Sequence, residues 1–450
     1  MHADVTLGAV KWLQILILHD DVGCLRVCCQ GSHLIKKGMH LQVNHGFDAR
    51  IEGLDNLQQR QIESPLVEID SPKIGQPDTL TFSLPRPPLK ACPLKILHDQ
   101  IIMEFERGDR IPKLGNAAIF FKEFKESKLD LKHLYRLCLE HIAPVTSPLA
   151  LISQIQRSGG SLLSQLFDGH PEIHGHPHEM MIGYTKKHVW PRIDLSEPPE
   201  RWFGVLFEDM VIEHAAAGYK KGRKDNETFP FIFLPSLQKK IFLNYLDSAK
   251  SITLRDVFDA YMTSYFSAWL NNQNYIGQKK FITAFTPRLA MIKENMEFFF
   301  EVYPDGRLIS LVRDPKNWFP SALRHVPKKY GDVSRAMSQW QESAQSMLRN
   351  KERYGDRVCL VKFEDLVSKT EPVMRYLAEF LNIVFDDILL VPTFNTLPIK
   401  AHTSFTVEGH GILNSTLSRY KTLGDEELDA IERMTGETYE LVLKEVARFE

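Results

Sequence analysis

The sequence has few cysteines, no long hydrophobic run and almost no net charge. Its six cysteines among 450 residues lack the paired spacing of a zinc site, which favours a reducing compartment over a disulfide-stapled secreted fold. A short apolar run at 12–18 is too short to span a bilayer and lacks the small-residue cleavage site of a signal peptide. These absences predict a soluble protein of the cytoplasm with no membrane span.

The charge balance excludes other classes of protein. The chain has 55 Lys and Arg against 57 Asp and Glu, a net charge of −2, so we expect no nucleic-acid partner held by bulk charge. A local basic pocket for a small anion remains compatible with this balance. Hydrophobic residues make up 43% and charged residues 25%, which excludes a disordered or collagen-like chain and indicates a globular fold.

The chain divides into regions of different texture. Residues 1–100 carry short apolar runs separated by turn residues, which predicts a small β-rich accessory module of unassigned role. Residues 101–144, after a proline-rich stretch at 85–93, are interpreted as a linker and a helix. Residues 145–450 are predicted to form one α/β domain with a helix-rich insertion at 190–274. We interpret the basic run at 220–224 within that insertion as a solvated loop.

The α/β prediction rests on apolar β runs that alternate with long amphipathic helices. This pattern is typical of a three-layer parallel sheet with helices on both faces. The predicted strands are 149–155, 279–285, 307–312 and 358–363, and the predicted helices are 161–168, 289–300, 333–354, 372–381 and 425–447.

The first predicted strand is followed by a glycine-containing loop and a helix. A loop of this kind binds anions because free backbone N–H groups and the helix dipole converge at the helix N-terminus. Arg157 adds a positive charge, and Ser158 and Ser161 add hydroxyl donors. The loop lacks the Gly-Lys-Ser/Thr ending of nucleoside triphosphatases, which counts against a kinase or ATPase.

A second anion motif lies about 150 residues further on. Arg313 follows the apolar run 307–312, and Ser321 lies eight residues later at the predicted start of a helix. An arginine at a strand end and a serine at a helix N-terminus can hold a phosphate together. A plain ion pair between Arg313 and Asp314 is the alternative interpretation.

Together these segments resemble the sulfotransferases that use 3'-phosphoadenosine 5'-phosphosulfate (PAPS), in a motif style closest to the bacterial and tyrosylprotein-type branch. The similar segments are QIQRSGGSLLSQLFDGHPEI, KFITAFTPRL, YPDGRLISLVRDPKNWFPSALRH, VCLVKFEDLV and SRYKTLGDEELDAIERMTG, within residues 145–450. The resemblance implies a P-loop-like sulfotransferase fold. It also implies sulfuryl transfer from PAPS, without a metal, to an acceptor hydroxyl, which we expect on a carbohydrate or another polar metabolite.

The resemblance also implies particular site residues. Arg157 would bind the transferring sulfuryl group, and Arg419 would close over the donor. The 3'-phosphate would be held by Arg313 and Ser321. The 5'-phosphate would lie in a cradle formed by Ser158, Gly159, Gly160, Ser161 and Leu162.

A general base is expected shortly after the loop helix. The nearest match to the glutamate of the tyrosylprotein and heparan branches is Glu179, and His178 and His176 are alternatives because imidazole is also a common base. A metal site formed by the histidines is disfavoured because we expect prolines to interrupt a regular strand there; the residues concerned are His170, His174, His176 and His178, with Pro171 and Pro177.

Two positions depart from the family pattern. Gly160 stands where a threonine is common, and Phe285 stands where the tyrosylprotein branch has a lysine. We therefore expect weaker donor binding, a compensating charge from Arg157 or Arg288, and an acceptor other than tyrosine. A nucleotide-dependent phosphotransferase and a catalytically inactive binding protein on the same fold remain as alternatives.

Overall fold

In the computed structural model, the described part of the chain comprises the N-terminal strands given below and most residues from 139 onward. Gaps within that part lie at 141, 183–188, 209, 212–213, 215–230, 232, 248–250, 271, 276, 400–411, 413 and 450. The proline-rich stretch at 85–93, most of the linker and helix predicted at 101–144 and the basic loop at 220–224 fall outside the described residues.

The N-terminal region contains antiparallel strands. These are β1 (Leu13–His19), β2 (Leu25–Gly31), β3 (Met39–Asn44), β4 (Leu66–Ile69) and β5 (Thr79–Leu84). They pair as β1-β2-β4 and as β3-β5. The interpretation of residues 1–100 as a β-rich accessory module of unassigned role stays a prediction.

Five of the described strands form a parallel sheet in the order β10-β9-β6-β8-β7. They are β6 (Leu149–Ile152), β7 (Ile173–Glu179), β8 (Phe281–Phe285), β9 (Arg307–Val312) and β10 (Val358–Lys362). The short strands β11 (Thr393–Phe394) and β12 (Leu397–Pro398) pair separately. The four strands predicted from continuous apolar runs are confirmed, because a parallel sheet covered on both faces needs such runs.

Strand β7 was not predicted from the sequence. It contains Pro177, which was expected to interrupt a regular strand; the strand continues to Glu179, but its pairing with β8 is irregular on either side of this proline. Proline is tolerated at a sheet edge or bulge, where its missing N–H breaks no ladder bond. β7 is one of the two edge strands of this sheet, and its pairing with β8 shifts register between Gly175 and Glu179.

Helices cover both faces of this sheet, which confirms the three-layer α/β prediction. Leu149 and Leu151 of β6 belong to one buried cluster, and Ala150 and Ile152 belong to another on the opposite face. The helices are α1 (Gly160–Phe167), α2 (Pro199–Leu206), α3 (Pro235–Asp247), α4 (Leu254–Ala268), α5 (Lys293–Val302), α6 (Pro315–His325), α7 (Pro327–Tyr330), α8 (Val333–Tyr354), α9 (Phe363–Ser368), α10 (Thr370–Phe380) and α11 (Asp425–Glu445). A 3-10 segment precedes α5 at Leu289–Met291, and another spans Asn414–Thr422.

The position of Ser321 differs from the prediction. Helix α6 begins at Pro315, with the Asp314 side chain accepting a hydrogen bond from the Lys316 N–H at 2.7 Å, so Ser321 lies inside the helix and not at its start. Proline favours the first helical position because its fixed φ suits the helix and its missing N–H is not needed there. Ser321 is fully buried, so its hydroxyl must find a partner within the protein or in a ligand.

Candidate active site

The predicted site residues converge at the carboxyl edge of the parallel sheet. Arg157 follows β6, Glu179 ends β7, Phe285 ends β8 and Arg313 follows β9. Carboxyl ends of parallel strands meet at one edge of a sheet, where open α/β folds bind their ligands. The sheet order therefore assembles side chains that are far apart in sequence.

The loop after β6 has the backbone of an anion cradle. Arg157 and Gly159 have positive φ values of 71° and 98°, and α1 starts at Gly160 directly after this turn. The indole N–H of Trp318 donates a hydrogen bond to the carbonyl of Gln156 at 2.8 Å, which anchors the loop to helix α6. The N–H groups of the first helical turn have no intrahelical acceptor, so they are available to an anion.

Aromatic rings pack closely against both glycines of this loop. A Cβ built on Gly159 would lie 2.7 Å from Cε2 of Phe363, and one built on Gly160 would overlap the ring of Phe285. Neither position can hold a side chain without displacing a ring. The two departures from the family pattern, Gly160 and Phe285, are therefore in direct contact and form one packing arrangement.

Ser321 is the meeting point of the two predicted phosphate motifs. Its hydroxyl oxygen accepts a hydrogen bond from Arg157 Nε at 3.3 Å and one from Arg419 Nη1 at 2.8 Å. Arg313 donates from Nη1 to the Arg157 carbonyl and from Nη2 to the Thr416 carbonyl, both at 2.9 Å. Arg157 and Ser321 are 164 residues apart in sequence, so only the fold could bring them together.

The arginine cluster carries a concentrated positive charge. Burial, together with the charge of Arg157, lowers the pKa of Arg313 to about 10 and the pKa of Arg419 to about 9. Burial also lowers the pKa of Arg157, against the opposing effect of the Glu179 carboxylate. A bound polyanion would relieve this repulsion, because opposite charges at short range stabilise each other in a buried site.

Several buried polar atoms in and around the cradle have no hydrogen-bond partner in the part of the chain that the structure describes, and two of them belong to predicted phosphate-binding residues. These two are the Ser158 hydroxyl oxygen and Arg313 Nε. Unsatisfied buried donors are uncommon in native proteins and are costly unless a ligand or water fills them. Both atoms fit the oxygens of a phosphate group.

The three candidate bases have different surroundings. Glu179 is half-buried, pairs with Phe285 across the β7–β8 ladder and acts electrostatically on Arg157. The ring of His176 is buried, with Nε2 3.2 Å from Glu208 Oε1 and Nδ1 3.1 Å from the His178 carbonyl oxygen. The ring of His178 stacks on His214, with the centroids 3.5 Å apart.

The remaining histidines also have separate partners. His170 Nε2 lies 2.8 Å from the Val384 carbonyl oxygen, and His174 stacks on Phe266 at 4.7 Å. Burial lowers the pKa of His174 to about 3. Among the described residues, no group of three or more His, Cys, Asp or Glu side chains is placed to hold a metal ion.

Residues 148–387, more than half of the chain, match the sequence model of the Sulfotransferase family. The chain belongs to the sulfotransferase family. It is 22% identical over 252 residues to Protein-tyrosine sulfotransferase A of Caenorhabditis elegans, a match that covers 54% of this chain and 52% of that protein. This sulfotransferase therefore spans about half the length of the curated relative.

Solved sulfotransferase domains are distant neighbours. The domain from the curacin biosynthetic pathway has 18% identity and a TM-score of 0.39, covering 65% of this chain and 99% of that one. The domain from the Synechococcus PCC 7002 olefin synthase has 19% identity and a TM-score of 0.38, covering 69% and 98%. The parallel sheet and the match to the family model, and not these neighbours, show the fold of this chain. Among its described helices, none has the length and hydrophobicity needed to cross a membrane.

Glu364 is a candidate site residue beside Arg313 that the sequence analysis did not single out. It lies in α9 directly after β10, and its Oε1 accepts a hydrogen bond from the Asp314 N–H at 3.2 Å. Burial raises the pKa of Glu364 to about 7, against the effect of Arg313. The sequence signal that could have identified it is an acidic residue just after the predicted strand in the segment VCLVKFEDLV. In its ionised form Glu364 supplies a counter-charge beside Arg313.

Glu208 fixes the end of β7, and its removal should destabilise the sulfotransferase. Its Oε1 accepts from His176 Nε2 and the Tyr261 hydroxyl, both at 3.2 Å, and its Oε2 accepts from the Met181 N–H at 2.6 Å. Because removing one member of a buried charged network leaves its partners unsatisfied, we expect Glu208→Ala to lower the free energy of unfolding by about 3 kcal/mol.

Urea unfolding measures this loss. Glu200→Ala, at an exposed position of α2, is the matched control and should change the unfolding free energy by less than about 0.5 kcal/mol. Equal stabilities for the two variants would show that the Glu208 network contributes nothing to the fold.

Proposed function

We propose that this sulfotransferase transfers a sulfuryl group from PAPS to an acceptor hydroxyl. The observation that carries the proposal is the contact of Arg157 and Arg419 with one hydroxyl, that of Ser321. This contact joins the loop for a 5'-phosphate and the segment for a 3'-phosphate into a single site. A nucleotide with phosphates on both the 3' and the 5' oxygen of its ribose would match such a site.

The described residues fit this donor. Ser158 and the open N–H groups from Gly159 to Leu162 would bind the 5'-phosphosulfate, and the hydroxyl of Ser161 would add a further donor. Arg313, Ser321 and Arg419 would bind the 3'-phosphate, with the unpartnered Arg313 Nε available for it. PAPS supplies the sulfuryl group together with a phosphate leaving group. The protein therefore has to position the two reacting oxygens and to stabilise the negative charge that develops on the phosphate.

In the proposed transfer, the acceptor oxygen forms a bond to sulfur while the bond from sulfur to the 5'-phosphate oxygen breaks. The leaving phosphate keeps the electron pair of that bond, and Arg157 stabilises its developing charge. Glu179 takes the proton of the acceptor hydroxyl as the hydroxyl attacks. The products are a sulfate ester and adenosine 3',5'-bisphosphate.

Glu179 is the preferred base because of its surroundings. Its charge acts on Arg157 and partly offsets the lowering of that guanidinium's pKa by burial, which supports a position near the transfer loop. His176 has both ring nitrogens within hydrogen-bond distance of other groups, so a proton transfer there would disturb the Glu208 network. His178 is the second candidate, since it neighbours Glu179 on the same strand.

For the acceptor, we propose a hydroxyl of a carbohydrate or another polar metabolite. The support is the aromatic ring of Phe285 in the place of the lysine that marks the tyrosylprotein branch, packed against Gly160. Tyrosine-containing peptides belong in the acceptor screen as the contrasting class, because the curated relative is named as a protein-tyrosine sulfotransferase.

Calorimetric titration with adenosine 3',5'-bisphosphate tests the donor class without knowledge of the acceptor. We expect this ligand to bind at least about tenfold more tightly than ADP, because a charge-assisted contact to the 3'-phosphate is worth about 1.5–3 kcal/mol. Tighter binding of ATP with magnesium would favour a phosphotransferase. Absence of nucleotide binding would favour an inactive binding protein.

A further inference from the structure

Gln154 lies beneath the anion cradle with half of its side-chain amide unused. It follows β6 by two residues and is 1% exposed. Its Oε1 accepts a hydrogen bond from the Leu311 N–H at 3.4 Å, which sets the orientation of the amide. Its Nε2 is buried and has no hydrogen-bond partner within the described part of the chain.

The unused amide nitrogen points at the first residue of α1. A Cβ built on Gly160 would lie 2.5 Å from Gln154 Nε2, so this nitrogen occupies space that any other residue at 160 would fill. The ring of Phe285 borders the same space. Gly160 thus admits an amide donor to the N-terminus of α1, where the helix dipole and the nearby Arg157 favour an anion.

We propose that Gln154 is a PAPS-binding residue whose side-chain N–H group donates a hydrogen bond to the 5'-phosphate within the phosphosulfate group. This inference rests on the proposed function, because it takes PAPS as the ligand of the cradle. The amide supplies a hydrogen-bond donor on the side of the loop where Gly160 has no hydroxyl. A glutamine with only a packing function would gain nothing from an unpaired N–H group at this position, since burial without a partner is costly.

The test is calorimetric binding of two ligands to Gln154→Leu, which keeps the approximate size of the side chain and removes the amide. Adenosine 3',5'-bisphosphate carries the 5'-phosphate, and adenosine 3'-monophosphate lacks it. We expect the variant to bind the bisphosphate about 10- to 100-fold more weakly and the monophosphate with unchanged affinity. Gln165→Leu, a buried glutamine later on α1, is the matched control and should bind both ligands like the parent protein.

The outcomes separate this inference from the proposed function. If the parent protein binds neither ligand, the PAPS site itself is wrong. If the parent binds the bisphosphate and Gln154→Leu binds it equally well, or loses both ligands equally, Gln154 does not contact the 5'-group. Thermal unfolding shows whether the variant is folded, and Gln154→Met provides the same comparison if Gln154→Leu is not.

Discussion

Replacement of Arg157 by Ala is expected to lower the rate of sulfuryl transfer by about 100- to 1000-fold, the usual effect of removing one group that stabilises developing charge. Arg157 is the charged residue of the cradle loop, and its guanidinium is oriented by the hydrogen bond to the Ser321 hydroxyl. The positive charge opposite the leaving phosphate would be lost, while the backbone N–H groups of the loop would remain. Transfer of labelled sulfate from PAPS to an acceptor found by screening measures the effect.

The control for this variant is Arg335→Ala, at an exposed position of α8, which should transfer sulfate at the parental rate. Thermal unfolding of Arg157→Ala should show a folded protein, because the Arg157 side chain is only half-buried. Parental activity in Arg157→Ala would place the transfer step elsewhere. An inactive binding protein would instead keep its partner after this substitution and show no transfer in either variant.

Replacement of Glu179 by Gln is expected to lower kcat by about 100-fold or more, as is typical for the loss of a general base. Binding of adenosine 3',5'-bisphosphate should stay within about threefold of the parent, since the substitution keeps the shape of the side chain and leaves the arginine cluster in place. Because the base must be deprotonated, the parental rate should fall toward acid pH, and Glu179→Gln should lose this dependence. Rate measurements across pH test both statements.

Glu197→Gln, at an exposed position before α2, is the matched control and should retain the parental pH profile. A Glu179→Gln variant with a reduced rate but an unchanged pH profile would transfer the assignment to His178 or His176. Of these, His178→Ala is the more informative substitution, because His176→Ala would also break the contact with Glu208.

Gly160 and Phe285 pack against each other, so the two departures from the family pattern are structurally coupled. Taken one at a time in the sequence, each position lacks the polar group that the resemblance led us to expect there. In the structure they are in contact, and the same space also borders the Gln154 amide. Weaker donor binding stays a prediction, and the Gln154 variants measure how much of the missing polarity the amide replaces.

The sequence by itself determined the class of fold, and it located the two segments that we propose bind the phosphates of the donor. Continuous apolar runs predicted four strands of the parallel sheet, and 3.6-residue periodicity predicted helices such as α8 within their observed bounds. These signals are local: they depend on which residues are buried within one segment. The predicted anion loop could also be found from the sequence, because its glycine, serine and arginine residues lie next to each other between a strand and a helix.

Only the tertiary structure decided which of these residues meet. Strand β7 contains one glycine, one proline and three histidines in seven residues, so its hydrophobic pattern is weak. It forms a strand because the edge of the sheet tolerates the irregular pairing. The contact of Arg157 and Arg419 with Ser321, and the approach of Gln154 to Gly160, depend on strand order and on helix α6 starting at Pro315. Such contacts join segments that are distant in sequence, and local periodicity carries no information about them.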